Sequence, residues 1–379
     1  MVPVIPGHTQ RLPSISWGNP VFQSQGQPRQ QIAPTNASFT STTARGYDNA
    51  EISFPASRDE AEDWFVNGIG RDIQFTSPGQ VERWNGFVNE VQVNMGVFSA
   101  RRGPLVGIAN KIAVAYQTVR YNTNPPIGGQ RKFTDYAEDT TSQSLFGVHQ
   151  KIYSGGESTQ TAAEALRDTL LTEKAYPSID RDLNFGGGGE ITVTLRCLGY
   201  AHFLDSYIYE STTTGTQDAS AKITAVLNAD PNSLFTVTGI DTNALAVPSQ
   251  ETEMMTAWSI IEKTVKLGDS SANRWLFGVF NGRQAVYKQA PTDISYETSL
   301  AGATISRHGT GTMLEPWDIE MGKWLLVRDF LTGQAIKTSP NNGANTLFIE
   351  QVTVTLPYTV SINGGVVLTS EQLLAQRGV

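Results

Sequence analysis

The sequence predicts an α+β fold that is predominantly antiparallel β, and three observations carry that prediction. Apolar and polar residues alternate with a period of two in Val91–Asn94, in Ile191–Arg196 and in Phe348–Val354, the mark of half-buried strands. Asn281-Gly282 stands between two apolar runs, which is the strongest short hairpin signal. Between residues 161 and 176 a single amphipathic helix is punctuated at both ends.

The first 45 residues carry Pro3, Pro6, Pro13, Pro20, Pro28 and Pro34 among Gln, Ser and Thr, a composition that buries too little apolar surface to fold alone. We expect an extended arm over 1–45, either disordered or ordered by lying on a neighbour, with the isolated aromatics Trp17 and Phe22 favouring docking. A first β-domain is expected over 46–210. Within it 60–66 suits one or two helical turns, 71–75 a strand, 83–94 a strand with a bulge at Gly86, and 112–121 a β-branched strand. The central helix opens at Thr161, whose hydroxyl is placed to cap while Glu164 reaches back, as in a capping box. Ala162, Leu166 and Leu170 form its apolar face, Pro177 stops it, and it docks on a sheet.

A small α+β module is expected over 211–291: helices at 217–227 and 250–267, a short strand between them, and the Asn281-Gly282 hairpin, with both turn residues at positive φ. Met254, Ala257, Ile261 and Val265 mark the buried face of the second helix, and Gly268 ends it with a left-handed residue. A second β-domain is expected over 292–379, with strands at 323–330, 346–356 and 358–367, the last turning at Asn363-Gly364.

Composition excludes several functions. The formal net charge is −8 and 17% of residues are charged, which argues against a nucleic-acid groove built from clustered Lys and Arg. The single cysteine, Cys197, forms no disulfide framework and reads as core packing. No stretch of ~18 apolar residues spans a bilayer, and the N-terminus lacks the pattern of a signal peptide. The four histidines, His8, His149, His202 and His308, lie far apart and never at ligand spacing. Asp180 and Asp182 lack the remaining ligands of a calcium loop. Gly186–Gly189 leads into a strand rather than the helix a phosphate loop needs, and Ser154 lacks the hydrolase-elbow spacing. Arg101-Arg102 and Arg131-Lys132 read as salt-bridging pairs. Trp275, Trp317 and Trp324 read as core or interface. No catalytic, cofactor or metal site is expected. The interaction candidates are Trp17, Phe22, Thr161, Glu164, Gly268, Asn281 and Gly282.

Several stretches are specific as a set: YSGGESTQTAAEALRDTLL at 153–171, TVTLRCLGYAHFLDSYIY at 192–209, ASAKITAVL at 219–227, and TAWSIIEKTVKLGDSSANRWLFGVFNGRQAVYKQAP at 256–291, with WNGFVNEVQV at 84–93. In this order they resemble the tail hub, or minor tail protein, family of long-tailed bacteriophages. The resemblance implies a virion structural protein without catalysis, made in the host cytoplasm and placed at the distal end of the tail. It implies two tail-tube-like β-domains separated by the α+β module, assembled as a homotrimer whose six β-domains match a six-fold tube. The implied partners are a distal tail or tube protein, the tape measure protein and tip or fibre proteins, with double-stranded DNA only in passage and no membrane insertion. Many hubs continue into fibre-attachment or wall-degrading regions, whereas this sequence ends at Val379, so receptor binding and lysis are not expected of it. Two other readings stay open: a hexameric distal tail protein, and a glycan-binding or glycan-cleaving tail protein using Glu315 and Asp318 beside Trp317, which for cleavage needs two carboxylates about 5 to 10 Å apart.

Overall fold

A computed structural model describes residues 14–22, 28–96, 98–120, 127–183, 189–211, 214–251, 254–299, 304–328, 337–339, 342–344, 346–356 and 359–365. The fold is predominantly β with small helices, as the alternation predicts. In chain order the first half comprises β1 Ser14–Pro20, β2 Gln30–Ile32, β3 Asn36–Thr42, β4 Gly46–Pro55, α1 Arg58–Asn67, β5 Arg71–Thr76, β6 Glu82–Met95, β7 Phe98–Arg102, β8 Lys111–Arg120, β9 Ile127–Phe133, β10 Ala137–Glu138, α2 Thr140–Phe146, β11 Gln150–Glu157, α3 Gln160–Lys174, β12 Ile179–Leu183 and β13 Thr192–Gly199. The second half comprises β14 Ile208–Tyr209, β15 Thr216–Asp218, α4 Ala219–Asn228, β16 Thr236–Ile240, β17 Ala246–Pro248, β18 Met255–Thr256, α5 Ala257–Lys266, β19 Trp275–Phe280, β20 Gln284–Gln289, β21 Ile294–Ser299, β22 Ile305–Arg307, β23 Trp324–Arg328, β24 Lys337–Ser339, β25 Asn342–Ala344, β26 Thr346–Leu356 and β27 Thr359–Gly365.

The large sheet is organised around β6, which pairs with β13 on one side and with β5 and β7 on the other. Val193 faces Val93 and Leu195 faces Val91 across the ladder, and all four are fully buried; each contributes about 1.5–3 kcal/mol of burial. From β13 the sheet continues through β4, β3 and β26 to β27, antiparallel at every step. The ladder shifts at Asn89, between the Arg196–Glu90 and Cys197–Val88 pairs, and near Arg83. The bulge expected at Gly86 is therefore absent, and Gly86 serves close approach instead: a Cβ there would come within 2.2 Å of the Leu198 carbonyl.

Within the segment expected as an extended arm, β1 pairs with β5, β2 with β1, and β3 with both β4 and β26. Polar strands such as NASFTST at 36–42 acquire partners far along the chain, so composition alone does not place them.

A separate sheet holds β8 between antiparallel partners β10 and β9 and the parallel strand β11. On it lies α3, through Ala163 and Leu170 against Val114, Tyr116 and Tyr153. The docked helix is as expected, with Leu170 on its packed face, but its start and the rest of that face are not. Thr159 is the cap, accepting from the Ala162 N–H at 3.2 Å. Thr161 lies inside the first turn, and Glu164 accepts from Gln160 Nε2 at 2.9 Å. Because the docking face holds Ala163 and Leu170, Ala162 is exposed and Leu166 is 37% exposed.

The middle of the chain packs α4 against α5, and α5 against the β19–β20 hairpin. The second helix is shorter than expected: Thr256 caps it, accepting from the Ser259 N–H at 3.3 Å, so Met254 falls outside it and is 43% exposed. The hairpin forms in antiparallel register, Trp275 opposite Gln289 through Phe280 opposite Gln284. Its connection is three residues, and the positive φ values fall on Gly282 and Arg283, +63° and +62°, rather than on Asn281. The predicted turn at Asn363-Gly364 is also absent: both residues continue β27, opposite Gln351 and Ile349. Residues 366–379, with His8, Pro3, Pro6, Pro13, Tyr121, Gly186–Gly188 and Phe330, lie outside the described residues.

Candidate functional site

Asn281 and Gly282 are two interaction candidates that the fold sets beside a cavity. The cavity, about 480 Å³, lies between β3, β4 and β26 on one side and the β19–β20 hairpin and residues 317–323 on the other. Its walls are aromatic and aliphatic: Phe39, Tyr47, Phe277, Phe280, Trp317, Val352 and Val354. They converge because inward-facing positions of strands far apart in sequence share one side of the sheet.

The Tyr47 hydroxyl donates to Asn281 Oδ1 and its ring packs edge-on against Phe280 at 5.4 Å. Burial, reinforced by the charge of Glu82, pushes that hydroxyl well above the usual tyrosine range. At one end sits Glu82. Burial raises its carboxyl, and the like charge of Asp72 adds to this, while hydrogen bonds from Gln74 and the Gly282 backbone and the charge of Arg29 act the other way. Gln74 donates to Oε2, and Oε1 is buried with no partner among the described residues. Beside it Arg83 donates to Asp318 Oδ1 at 2.6 Å. The recess can hold an apolar group and offers it one carboxyl of raised pKa. For the glycan reading, Trp317 lines this cavity, but Asp318 is committed to Arg83.

The other candidates are dispersed. Trp17 packs edge-on against Trp64 at 5.2 Å, and Phe22 against Phe203 at 5.4 Å, both within the same chain. Thr161 and Glu164 lie on the exposed side of α3 or near it, on the separate β8 sheet. Gly268 takes φ +67° after α5; its N–H donates to the Val265 carbonyl at 3.1 Å and its own carbonyl accepts from Asn243 Nδ2 at 3.0 Å. Cys197 is buried opposite Val88 and Ala50, and burial pushes its thiol far up. No group of three His, Cys, Asp or Glu side chains converges as for a metal among the described residues.

Sequence reasoning missed Tyr47, Glu82 and Asp72. Asp72 binds Arg29 and accepts from Asn85 Nδ2 at 3.0 Å and from the buried Tyr200 hydroxyl. These residues come from separate strands, and no spacing in the sequence marks them.

No family model and no curated protein matches the chain. Among solved structures it is similar to a tail protein from Neisseria meningitidis MC58, with 9% identity, 91% of this chain and 92% of that one covered, and a TM-score of 0.40. It is also similar to the 43 kDa tail protein of prophage MuSo2 from Shewanella oneidensis, with 8% identity, coverage of 96% and 99%, and a TM-score of 0.42. At these identities and scores neither likeness establishes a function.

Proposed function

We propose that this chain is a structural subunit of a long-tailed phage tail, the hub ring that continues the tail tube toward tip or fibre proteins. One observation carries the reading most of the way. The stretches that resemble the hub family, separated in sequence, pack on one another. The Tyr207 hydroxyl donates to the Val226 carbonyl at 2.6 Å, the Ala257 N–H to the Tyr207 carbonyl at 3.1 Å, and α4 packs against α5. Segments 192–209, 219–227 and 256–291 thus form one packed unit, which suits a motif set inherited together rather than three chance similarities.

In this reading 46–210 and 292–379 are the two tube-like β-domains, and 211–291 is the module between them. Three copies make a pseudo-six-fold ring, and the acidic chain lines a lumen through which DNA passes without sticking. Its neighbours are a distal tail or tube protein, the tape measure protein and the tip proteins, and its role is structural, without catalysis. No helix among the described residues is long and apolar enough to cross a membrane. The second reading, a distal tail protein, differs in symmetry.

The test is the mass of the purified protein in solution together with imaging of the ring in detached tails. Three copies at the tail tip support the hub. Six copies assign the distal tail protein, and a stable monomer absent from virions refutes both.

A further inference from the structure

A second recess of about 430 Å³ opens between β1, the end of α1 and the end of α2. Trp17, Val66, Leu145 and Phe146 contribute apolar walls, and two cations, Arg71 and Arg102, line it as well. Arg71 is 7% exposed. Its guanidinium lies over the rings of Trp17, at 4.3 Å, and Trp64, at 4.7 Å, which themselves meet edge-on. Its Nη2 donates to Asp63 Oδ2 at 2.8 Å, while Nη1 is buried without a hydrogen-bond partner among the described residues. Arg102 donates through Nη1 to the last carbonyls of α1, those of Phe65 and Val66, and its buried Nε also has no partner there.

A guanidinium carries five donors and no acceptor, and a buried donor left unpaired costs about 1–3 kcal/mol. Of the two cations only Arg71 pairs with a carboxylate, Asp63, and no Asp or Glu among the described residues lines the recess, so it holds a local excess of positive charge in a chain whose net charge is −8. Burial alone depresses the pKa of Arg102, which agrees with a cation lacking an anionic neighbour. At the rim, Val66 is 53% and Leu145 37% exposed. Spare guanidinium donors inside apolar edges suit a carboxylate carried on an apolar stem.

We propose that this recess receives an acidic segment of a protein partner, an Asp or Glu flanked by aliphatic residues, whose carboxylate seats on Arg71 and Arg102 while the aliphatic neighbours cover Val66 and Leu145. The site stands independently of the tail reading, since it follows from charge and shape alone.

Calorimetric titration of the full chain tests it, with the blocked peptide acetyl-Gly-Leu-Glu-Leu-Gly-amide as probe. Saturable one-to-one binding is expected, about tenfold weaker for the Gln counterpart, because a charge-assisted pair is lost. Binding weakens as salt rises. Arg102→Gln abolishes it, with the fold checked by circular dichroism. Leu145→Ser, at an exposed position, keeps the fold and weakens binding several-fold, so the test does not rest on the arginine variant alone. Equal binding of the Glu and Gln peptides overturns the proposal, as does no binding up to about 5 mM, a weak-affinity limit. Saturation by inorganic phosphate with no response to the peptide also overturns it, and assigns a simple oxyanion site.

Discussion

His149 is fully buried, and its Nε2 lies 3.1 Å from the Phe146 carbonyl, which makes that nitrogen the donor and leaves Nδ1 without a partner among the described residues. Burial lowers its pKa from 6.5 to about 4. Above pH 6.5 neither folded nor unfolded chain protonates it. Between 6.5 and about 4 the unfolded chain takes up a proton that the folded chain refuses, so stability falls as pH drops. We expect His149→Gln to flatten that slope, with up to ~3 kcal/mol of difference near pH 4; urea titrations of both proteins from pH 4 to 8 measure it, and parallel curves refute it. A second residue-scale prediction concerns Lys222, 1% exposed, whose Nζ donates to the Ser249 carbonyl at 2.6 Å and pairs with Glu251 at 3.3 Å. Glu251→Ala strands a buried cation and should cost about 3–5 kcal/mol. Lys263→Ala removes the exposed partner of the same carboxylate, at 3.1 Å, and should cost under ~1 kcal/mol. Similar losses from both substitutions in chemical denaturation contradict the buried-pair argument. Neither residue was legible beforehand, because burial of one His or Lys depends on strands and helices remote in the chain.

At the scale of the element, the sequence marked helices and hairpins well and their phase poorly. Both Thr159 and Thr161 carry a capping hydroxyl, and Glu164 three residues after Thr161 imitated a capping box; the face that docks centres on Ala163 and Leu170, so Ala162 and Leu166 turn outward. The reciprocal box occurs instead on α1, where Ser57 Oγ accepts from the Glu60 N–H at 3.3 Å and Glu60 Oε2 accepts from the Ser57 N–H at 2.8 Å. Substituting Ser57 or Thr159 by Ala should each cost about 1 kcal/mol, and Thr161→Ala close to nothing. Thermal unfolding separates these outcomes, and a large loss at Thr161 restores the later start. Gly268 was legible because a helix ending in a left-handed residue favours glycine, and its φ of +67° is where a Cβ is strained. The Asn281-Gly282 hairpin was legible, but its positive φ values moved on to Gly282 and Arg283, since the loop has three residues rather than two. Asn363-Gly364 gave the same local signal and continued a strand because β26 lies alongside to pair with it.

At the scale of the molecule, the pairing of β26 with β3 decides how the two β-regions relate. Thr40 Oγ1 lies 3.0 Å from Thr353 Oγ1, and Val354 stands opposite Phe39. Local periodicity identified β26 but not β3, which was expected to lie in an extended arm, and no local rule joins residues more than 300 positions apart, so the pairing was invisible in the sequence while the fold class was not. Its energetic consequence can be bounded. Ile349, Val352 and Val354 are 0%, 3% and 1% exposed, and burying three such side chains contributes on the order of 6 kcal/mol, comparable to the entire 5–15 kcal/mol stability of a typical domain. A chain ended at Arg328 lacks those side chains and leaves Phe39, now 5% exposed, at a bare sheet edge. That chain should unfold several kcal/mol more easily, expose 36–42 to proteases, and associate through its uncovered edge. If 292–379 folded independently of the rest, the truncated chain would keep the main unfolding transition of the full protein, with 36–42 still protected. Proteolysis mapped by mass spectrometry, alongside denaturant unfolding of both chains, decides between one continuous sheet and two separable units.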